Sequence, residues 1–452
     1  MSSSADPPAH RDEVGTATDE TTGAATRTAP RAASRSATRR RRMSRRRGRR
    51  LTVTITVFVI LVLGGYTAAT ALTPLPAPTA ELSAGAEREF AADPAPAQAA
   101  ADAQPLPTAV GWLHDDEVWV NSDEVQPIAS ISKLVTVLVG LEQQPLEAGA
   151  DGPTHVWTAE DRARTDQYLA EDGIAYPIPV GTEVTTRQML TLALVPSAND
   201  FAAAYAYSIF GDNDAFVAAV DDWKQRNGID SLVLAEPTGM DERNAATPAD
   251  VLRIARLALQ QPAIADITRL SSAELPWGIG TVESTNLLFG EIPDVLGVKT
   301  GRTSVAGYNL ASAQASSASG RELVKLSVVL GRPTEEDRVA SSIAVLTALD
   351  AAPQTVDLVA EGEEVGTAET VDGKRIALVA DGAASTVLLP GETATTAAEL
   401  TPLGAGGAGQ EAGAIRVDTP SGSEEIPIVT DAAIAEPDFW WRFTHPARVF
   451  GW

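Results

Sequence analysis

Cysteine is absent from the 452 residues, which excludes a disulfide framework, a thiolate zinc site and a cysteine nucleophile. Histidine is nearly absent. His10, His114, His155 and His445 are scattered, with no pair at metal-ligand spacing, so histidine-based metal chemistry has no foothold. Lysine is scarce as well, with five residues (Lys133, Lys224, Lys299, Lys325 and Lys374) against 30 arginines. Aromatic residues make up 5% of the chain, yet six of the last fifteen residues are aromatic.

What is present fits a folded protein. The hydrophobic share of 44% and charged share of 21% are ordinary for globular chains, and the length allows two or three folded units. Charge is divided unevenly. Residues 1–50 hold 13 arginines against five acidic residues, whereas the remaining 402 hold 22 basic against 55 acidic residues. Residues 1–38 carry almost no large apolar side chain and are expected to be disordered, because they cannot bury enough surface to offset their ordering entropy. The whole stretch 1–50 reads as a disordered basic cytoplasmic tail.

The Arg-rich run at 39–50 taken alone would suggest nucleic acid, but its neighbour decides otherwise. Residues 51–72 contain no charge and are long enough to cross a hydrocarbon core as a helix. The basic flank keeps the N-terminus cytoplasmic and would meet anionic membrane lipid there. A cleaved signal is the alternative, since Ala68-Ala-Thr-Ala71 offers a small-residue cleavage site, although signal apolar regions are shorter. In both cases residues 73–452 lie outside. The expected localisation is the cell membrane, single-pass, with an extracytoplasmic folded part.

Residues 73–105, dominated by Ala and Pro, read as an extended, semi-rigid linker. From 106 to 352 the pattern is that of an α+β domain. Val110–Leu113 and Glu117–Val120 form a hairpin pair, helices are expected at Arg187–Leu194, Ala202–Phe210, Asp214–Gln225 and Asp250–Gln260, and strands at Val295–Thr300, Gly307–Ala315 and Glu322–Leu330. A helix over Thr334–Leu349 closes the domain. Short strand candidates separated by Gly-rich turns make 353–437 a small all-β domain. The aromatic tail, 438–452, either docks on that β domain or sits at a membrane–water boundary.

The chemistry is carried by the rare lysines, because an ammonium can lose its proton when desolvated and a guanidinium cannot. Lys133 follows Ser130 in Ala129-Ser-Ile-Ser-Lys133, at the start of an apolar run that predicts a buried helix. The i, i+3 spacing places both side chains on one face. A buried lysine with a lowered pKa can then take the serine proton, while the helix N-terminus offers N–H groups to an oxyanion. By itself the same tetrad also describes a capping serine and a snorkelling lysine. Ser197-Ala-Asn199 follows an apolar helix, and Lys299-Thr-Gly301 ends an apolar strand with a glycine that admits close backbone approach.

In that order the three motifs resemble the set shared by penicillin-binding proteins and serine β-lactamases. The longer segments Pro127–Thr136, Leu194–Asp200, Glu236-Pro-Thr-Gly-Met240 and Gly297–Leu310 resemble the D-alanyl-D-alanine carboxypeptidases among the low-molecular-mass penicillin-binding proteins. The resemblance implies a penicillin-binding/β-lactamase-like transpeptidase fold, an antiparallel sheet flanked by helices, with a small C-terminal β domain. It implies Ser130 as nucleophile, Lys133 as base and Ser197 as proton relay. Asn199, Lys299, Thr300, Gly301 and Arg302 would bind substrate, with the N–H groups of Ser130 and Arg302 as oxyanion hole. The implied partners are peptidoglycan pentapeptide stems, β-lactam inhibitors and membrane lipid, with no nucleic acid and no cofactor.

Three departures stand out: Ala198 where relatives carry Gly, Arg302 where several carry His, and Glu236 where Asn is familiar. Glu236 raises the β-lactamase alternative, in which a glutamate activates the deacylating water. The leucine-asparagine pair expected after that glutamate is missing, so Glu236 reads as a turn residue before Gly239. A non-catalytic scaffold has no need of the reactive side chains. Transfer to an amine instead of water remains open, because the same residues serve both.

Overall fold

The computed structural model describes residues 37–452, with side chains described from residue 48 onward. The expected disorder at 1–36 lies outside the described residues. Two compact units are present, one formed by the chain up to Leu75 together with Asp438–Trp452, the other by Pro76–Pro437.

In the first unit a single helix runs from Ala37 to Leu72. Residues 37–50, expected to be disordered, are therefore its opening turns, in keeping with the good helix propensity of arginine. Within it Gly48–Leu72 is long and apolar enough to cross a membrane, with a mean hydropathy of 2.1. Two short helices, Phe439–Thr444 and Pro446–Phe450, complete the unit. The tail thus meets the C-terminal end of the long helix: the Tyr66 hydroxyl donates to the Phe443 carbonyl at 2.7 Å and the two rings meet edge-on.

The second unit begins with a correction. The stretch read as a spacer holds two strands, Thr79–Leu82 and Glu87–Ala91, and a helix, Ala95–Asp102. The strands are opposite edges of a seven-stranded sheet that otherwise comes from residues 364–430. Because they are consecutive and joined by only four residues, the sheet has to curl until its edges approach. Ala80 and Phe90 pack on its core, and the Arg88–Glu363 ion pair ties the hairpin down. The helix buries Ala97, Ala100 and Ala101 against Val110, Trp112 and Trp119, where small side chains permit close approach.

Between these parts lies a five-stranded antiparallel sheet in the order Val295–Thr303, Gly307–Ala318, Arg321–Arg332, Thr108–Trp112, Trp119–Val120. Helices precede and follow its three long strands in sequence, as expected of an α+β domain. The helix Ser132–Gln143 is buried from Ser132 to Leu141. Its apolar side chains share one core with Leu326, Val328 and Leu330 of the sheet and with the helices Asn199–Phe210 and Pro248–Gln260. That helix and the edge strand Val295–Thr303 position the site.

Candidate active site

Ser130 lies in a 3-10 turn, Ala129–Ile131, that leads directly into the buried helix. The preceding residues are pinned by pairing of Gln126–Pro127 with Ala245–Ala246 and by the bond from Ile128 N to Asn244 O. Ala129 adopts φ 49°, a strained value that costs a non-glycine residue about 1–3 kcal/mol and that packing on both sides must hold. Two glycines provide that packing. A Cβ on Gly239, at φ 87°, would come within 2.0 Å of the Ala129 carbonyl oxygen, and one on Gly301 within 2.5 Å of the Ile128 carbonyl oxygen. Only residues without side chains let both loops close on the serine turn.

Lys133 is completely buried. Its Nζ donates to Ser130 Oγ at 2.8 Å, Asn199 Oδ1 at 2.6 Å and the Thr238 carbonyl at 2.6 Å. All three acceptors are neutral. Burial pushes the lysine down to about 7, while the more distant Glu236 and Asp200 carboxylates oppose the fall. Neutral Lys133 is therefore accessible near physiological pH, one hydrogen bond from the serine hydroxyl.

The carbonyl of Thr238 is set by Glu236. One carboxylate oxygen accepts from Thr238 N and Thr238 Oγ1, both at 2.7 Å, and the other from Gly239 N at 2.6 Å and Asn244 Nδ2 at 3.1 Å. Both oxygens are thus committed to the turn, which is the role the sequence suggests for this residue.

Ser197 and Asn199 come from the joint between two helices. Thr186–Leu194 starts in a capping box of Thr185 and Gln188, and after Pro196 the chain passes through Ser197 at φ 70° before Asn199 opens the next helix. Asn199 N donates to the Ile174 carbonyl at 2.7 Å, which joins the loop at 172–174 to the site. Behind it the buried Asp200 accepts from Thr165 Oγ1 and Tyr176 N, both at 3.0 Å, and burial pushes its carboxyl up to about 7.

On the opposite wall Lys299 is also buried, with Nζ donating only to Thr300, at 3.2 Å to its carbonyl and 3.4 Å to its hydroxyl. Burial first, then the charges of Lys133 and Arg338, hold it well below the ordinary lysine range. The Thr300 hydroxyl shares a 2.5 Å hydrogen bond with Thr285. Arg302 is exposed and stacks over Tyr308 at 5.4 Å, and the buried Arg338 approaches the same ring at 5.7 Å.

These walls enclose a cavity of about 180 Å³ lined by Ser130, Ser197, Asn199, Thr300, Gly301 and Arg302. Of the residues given site roles in the sequence, Ser130, Ser197, Asn199, Thr300, Gly301 and Arg302 line this cavity, and Lys133 and Lys299 lie directly beneath it. Sequence reasoning gave no role to Met240, Thr285, Tyr308, Glu335, Arg338 or the loop 172–174, which complete the lining. Arg338, buried in the first turns of the helix that Thr334 caps, is held to Glu335 at 2.6 Å.

Comparison with known proteins agrees with this geometry. Residues 119–334 match the model of a family described as D-alanyl-D-alanine carboxypeptidase. A D-alanyl-D-alanine endopeptidase of Pseudomonas aeruginosa is 29% identical over 197 residues, covering 42% of this chain and 60% of the relative. The D-alanyl-D-alanine carboxypeptidase DacF of Bacillus subtilis is 27% identical over 264 residues, covering 56% of this chain and 64% of the relative. The chain thus spans somewhat under two thirds of the length of these relatives. Penicillin binding protein 5 of Haemophilus influenzae, at 21% identity, superposes with a TM-score of 0.50 over 73% of this chain and 97% of its own, a likeness of fold. Residues 119–334 thus resemble the D-alanyl-D-alanine carboxypeptidase family, and the chain shares its fold with penicillin binding protein 5.

Proposed function

We propose that the protein is a membrane-anchored serine D,D-carboxypeptidase that removes the terminal D-alanine from peptidoglycan stem peptides and is acylated by penicillin. The observation that carries this reading is the fully buried Lys133, brought down to about 7 and bonded to Ser130 Oγ at 2.8 Å.

Neutral Lys133 takes the proton as Ser130 Oγ attacks the carbonyl between the two D-alanines. The N–H groups of Ser130 and Arg302 receive the oxyanion. The proton passes through Ser197 to the departing amide nitrogen, the C–N bond breaks, and D-alanine leaves an ester on Ser130. Water then gives a proton to the same network, adds to the ester and frees the serine. Asn199 holds Lys133 in line throughout. Lys299 and Thr300 receive the terminal carboxylate, and that anion restores the charge which burial and Lys133 disfavour in the empty site. A β-lactam enters as a strained mimic and stays as the ester. The committed oxygens of Glu236 argue against a β-lactamase, because neither is left to activate water.

The test is D-alanine release from diacetyl-L-Lys-D-Ala-D-Ala by the full chain in detergent, beside Ser130→Ala. Release that disappears in the variant and is blocked by penicillin supports the proposal. Rapid penicillin turnover without release would replace it with a β-lactamase. Three matched relatives bear the name endopeptidase, so cleavage of a cross-linked stem dimer is the companion assay. Cleavage of the dimer without release from the monomer would favour that second reading.

A further inference from the structure

The proposed reaction leaves one charged group of the cavity without a task. Two carboxylates line it, those of Asp172 and Glu335. Glu335 is held by Arg338 at 2.6 Å, whereas no described residue donates to Asp172 or pairs with it. The cationic groups of the lining, Arg302 and Arg338, come from the edge strand Val295–Thr303 and the helix Glu335–Ala348. Asp172 comes from the loop beside Asn199. That loop is fixed in place: Asn199 N donates to the Ile174 carbonyl at 2.7 Å, and a Cβ on Gly173 would come within 2.6 Å of Asn199 Nδ2.

Stability does not explain an acid at this position. Gly173 N and Glu171 N donate to the Tyr168 carbonyl, at 2.7 and 3.2 Å, and close the helix Ala159–Ala170 with Asp172 as its left-handed terminator at φ 56°. Asparagine and glycine serve that backbone as well. Carbonyls at a helix C-terminus disfavour a nearby carboxylate and favour a cation. The helix end and the unpaired acid therefore act together as a place for a positive charge. Beside them Ile174 lines the cavity and is 42% exposed, an apolar surface for methylene groups. An apolar surface ending at a free carboxylate matches an alkylammonium side chain. In a stem peptide whose scissile carbonyl sits at Ser130, a lysine-like ammonium on the residue before the two D-alanines reaches about 10 Å from that carbonyl. That is enough to cross a cavity of about 180 Å³ which Ser130 and Asp172 both line.

We propose that Asp172, with Ile174 and the C-terminal end of the helix Ala159–Ala170, forms a specificity-determining subsite for a diamino acid at the third position of the stem, its free ω-ammonium seated against the Asp172 carboxylate. The subsite rests on the carboxypeptidase reading of the cavity and selects among its substrates. Stems with the amine free are preferred over the same stems with the amine acylated, because acylation removes the charge and leaves the acid unpaired.

The full chain in detergent is given two peptides that differ only in that amine, Nα-acetyl-L-Lys-D-Ala-D-Ala and its Nα,Nε-diacetyl counterpart, and D-alanine release is followed. At low salt kcat/KM should be roughly three- to fivefold higher for the free amine, the range of a single exposed ion pair. The ratio should fall towards one at about 0.5 M sodium chloride, where such a pair is screened. Asp172→Asn, which suits the same backbone, should bring the low-salt ratio to about one. Reading a ratio separates the subsite from damage to the fold, which would lower both rates together. A wild-type ratio of one, or a preference that survives Asp172→Asn, would overturn the subsite and leave the carboxypeptidase standing. No release from either peptide would overturn both.

Discussion

The domain that carries the site buries lysines in two regions, and they are treated differently. Lys325, on a long strand of the five-stranded sheet, is 3% exposed and donates to Asp350 at 2.5 Å and to the Leu346 carbonyl at 2.9 Å. Lys133 and Lys299 are as deeply buried but meet only carbonyl, amide and hydroxyl oxygens. A carboxylate partner repays the cost of burying an ammonium, whereas neutral acceptors leave much of it standing. Burial alone therefore does not make a base. Withholding the counter-ion is what lowers a buried lysine, and the two lysines so treated lie directly beneath the cavity.

The comparison breaks most sharply at Lys133. Lys133→Arg keeps a charge that cannot be lost, so penicillin acylation of Ser130, followed by intact mass, should slow by about 10²–10⁴-fold. Lys325→Met should leave that rate within about twofold and instead lower the thermal midpoint, through the loss of about 1–2 kcal/mol of hydrogen bonding. Comparable slowing by the two variants would end the distinction.

Next in size is Gly301→Ala. Its Cβ would lie 2.5 Å from the Ile128 carbonyl oxygen and 3.3 Å from Ser130 N, forcing the edge strand off the serine turn. Acylation should fall by about 10²-fold, the effect of a displacement near 1 Å, with circular dichroism unchanged.

The pH dependence sharpens the contrast further. Acylation should rise with pH through about 7 as Lys133 loses its proton, then level off. Asp200→Asn removes a charge that favours the protonated lysine, so the limb should move to lower pH. An unmoved limb would mean that Asp200 does not reach Lys133 electrostatically.

Stability should depend on pH as well. Lys133 has a folded pKa of about 7 against about 10.5 unfolded, so between these values the unfolded chain holds the extra proton and stability rises with pH. Asp200 acts in the opposite sense. Its folded pKa of about 7 lies above the unfolded 3.8, so its contribution is full below about 4 and is lost as pH rises to 7. Urea titrations across pH 4–10 should show a minimum near 7. Lys133→Met should flatten the upper limb and Asp200→Asn the lower.

Much of this was legible because it is local. The spacing of Ser130 and Lys133, the apolar run that buries their helix, and the three long strands with their turn at Ser319-Gly320 all show within short windows. The linker reading failed for the complementary reason. Glu87–Ala91 pairs with Thr393–Leu400 and Thr79–Leu82 with Glu364–Glu369, partners far along the chain, and an Ala- and Pro-rich context hides the alternation. Arg338 was overlooked because its burial depends on Thr285 and Tyr308, which no helical periodicity brings near.

The amino-acid sequence by itself determined the juxtaposition of Ser130 and Lys133, the membrane-length helix and the order of the three motifs, since each follows from neighbours within a few turns of chain. Only the tertiary structure decided that the buried Lys299 lies close enough to Lys133 for their charges to interact, that Glu236 is spent on holding Thr238, and that the chain's aromatic end returns to its first helix. Those outcomes depend on desolvation and on strand and helix contacts between residues far apart in sequence, which exist only after the core has closed.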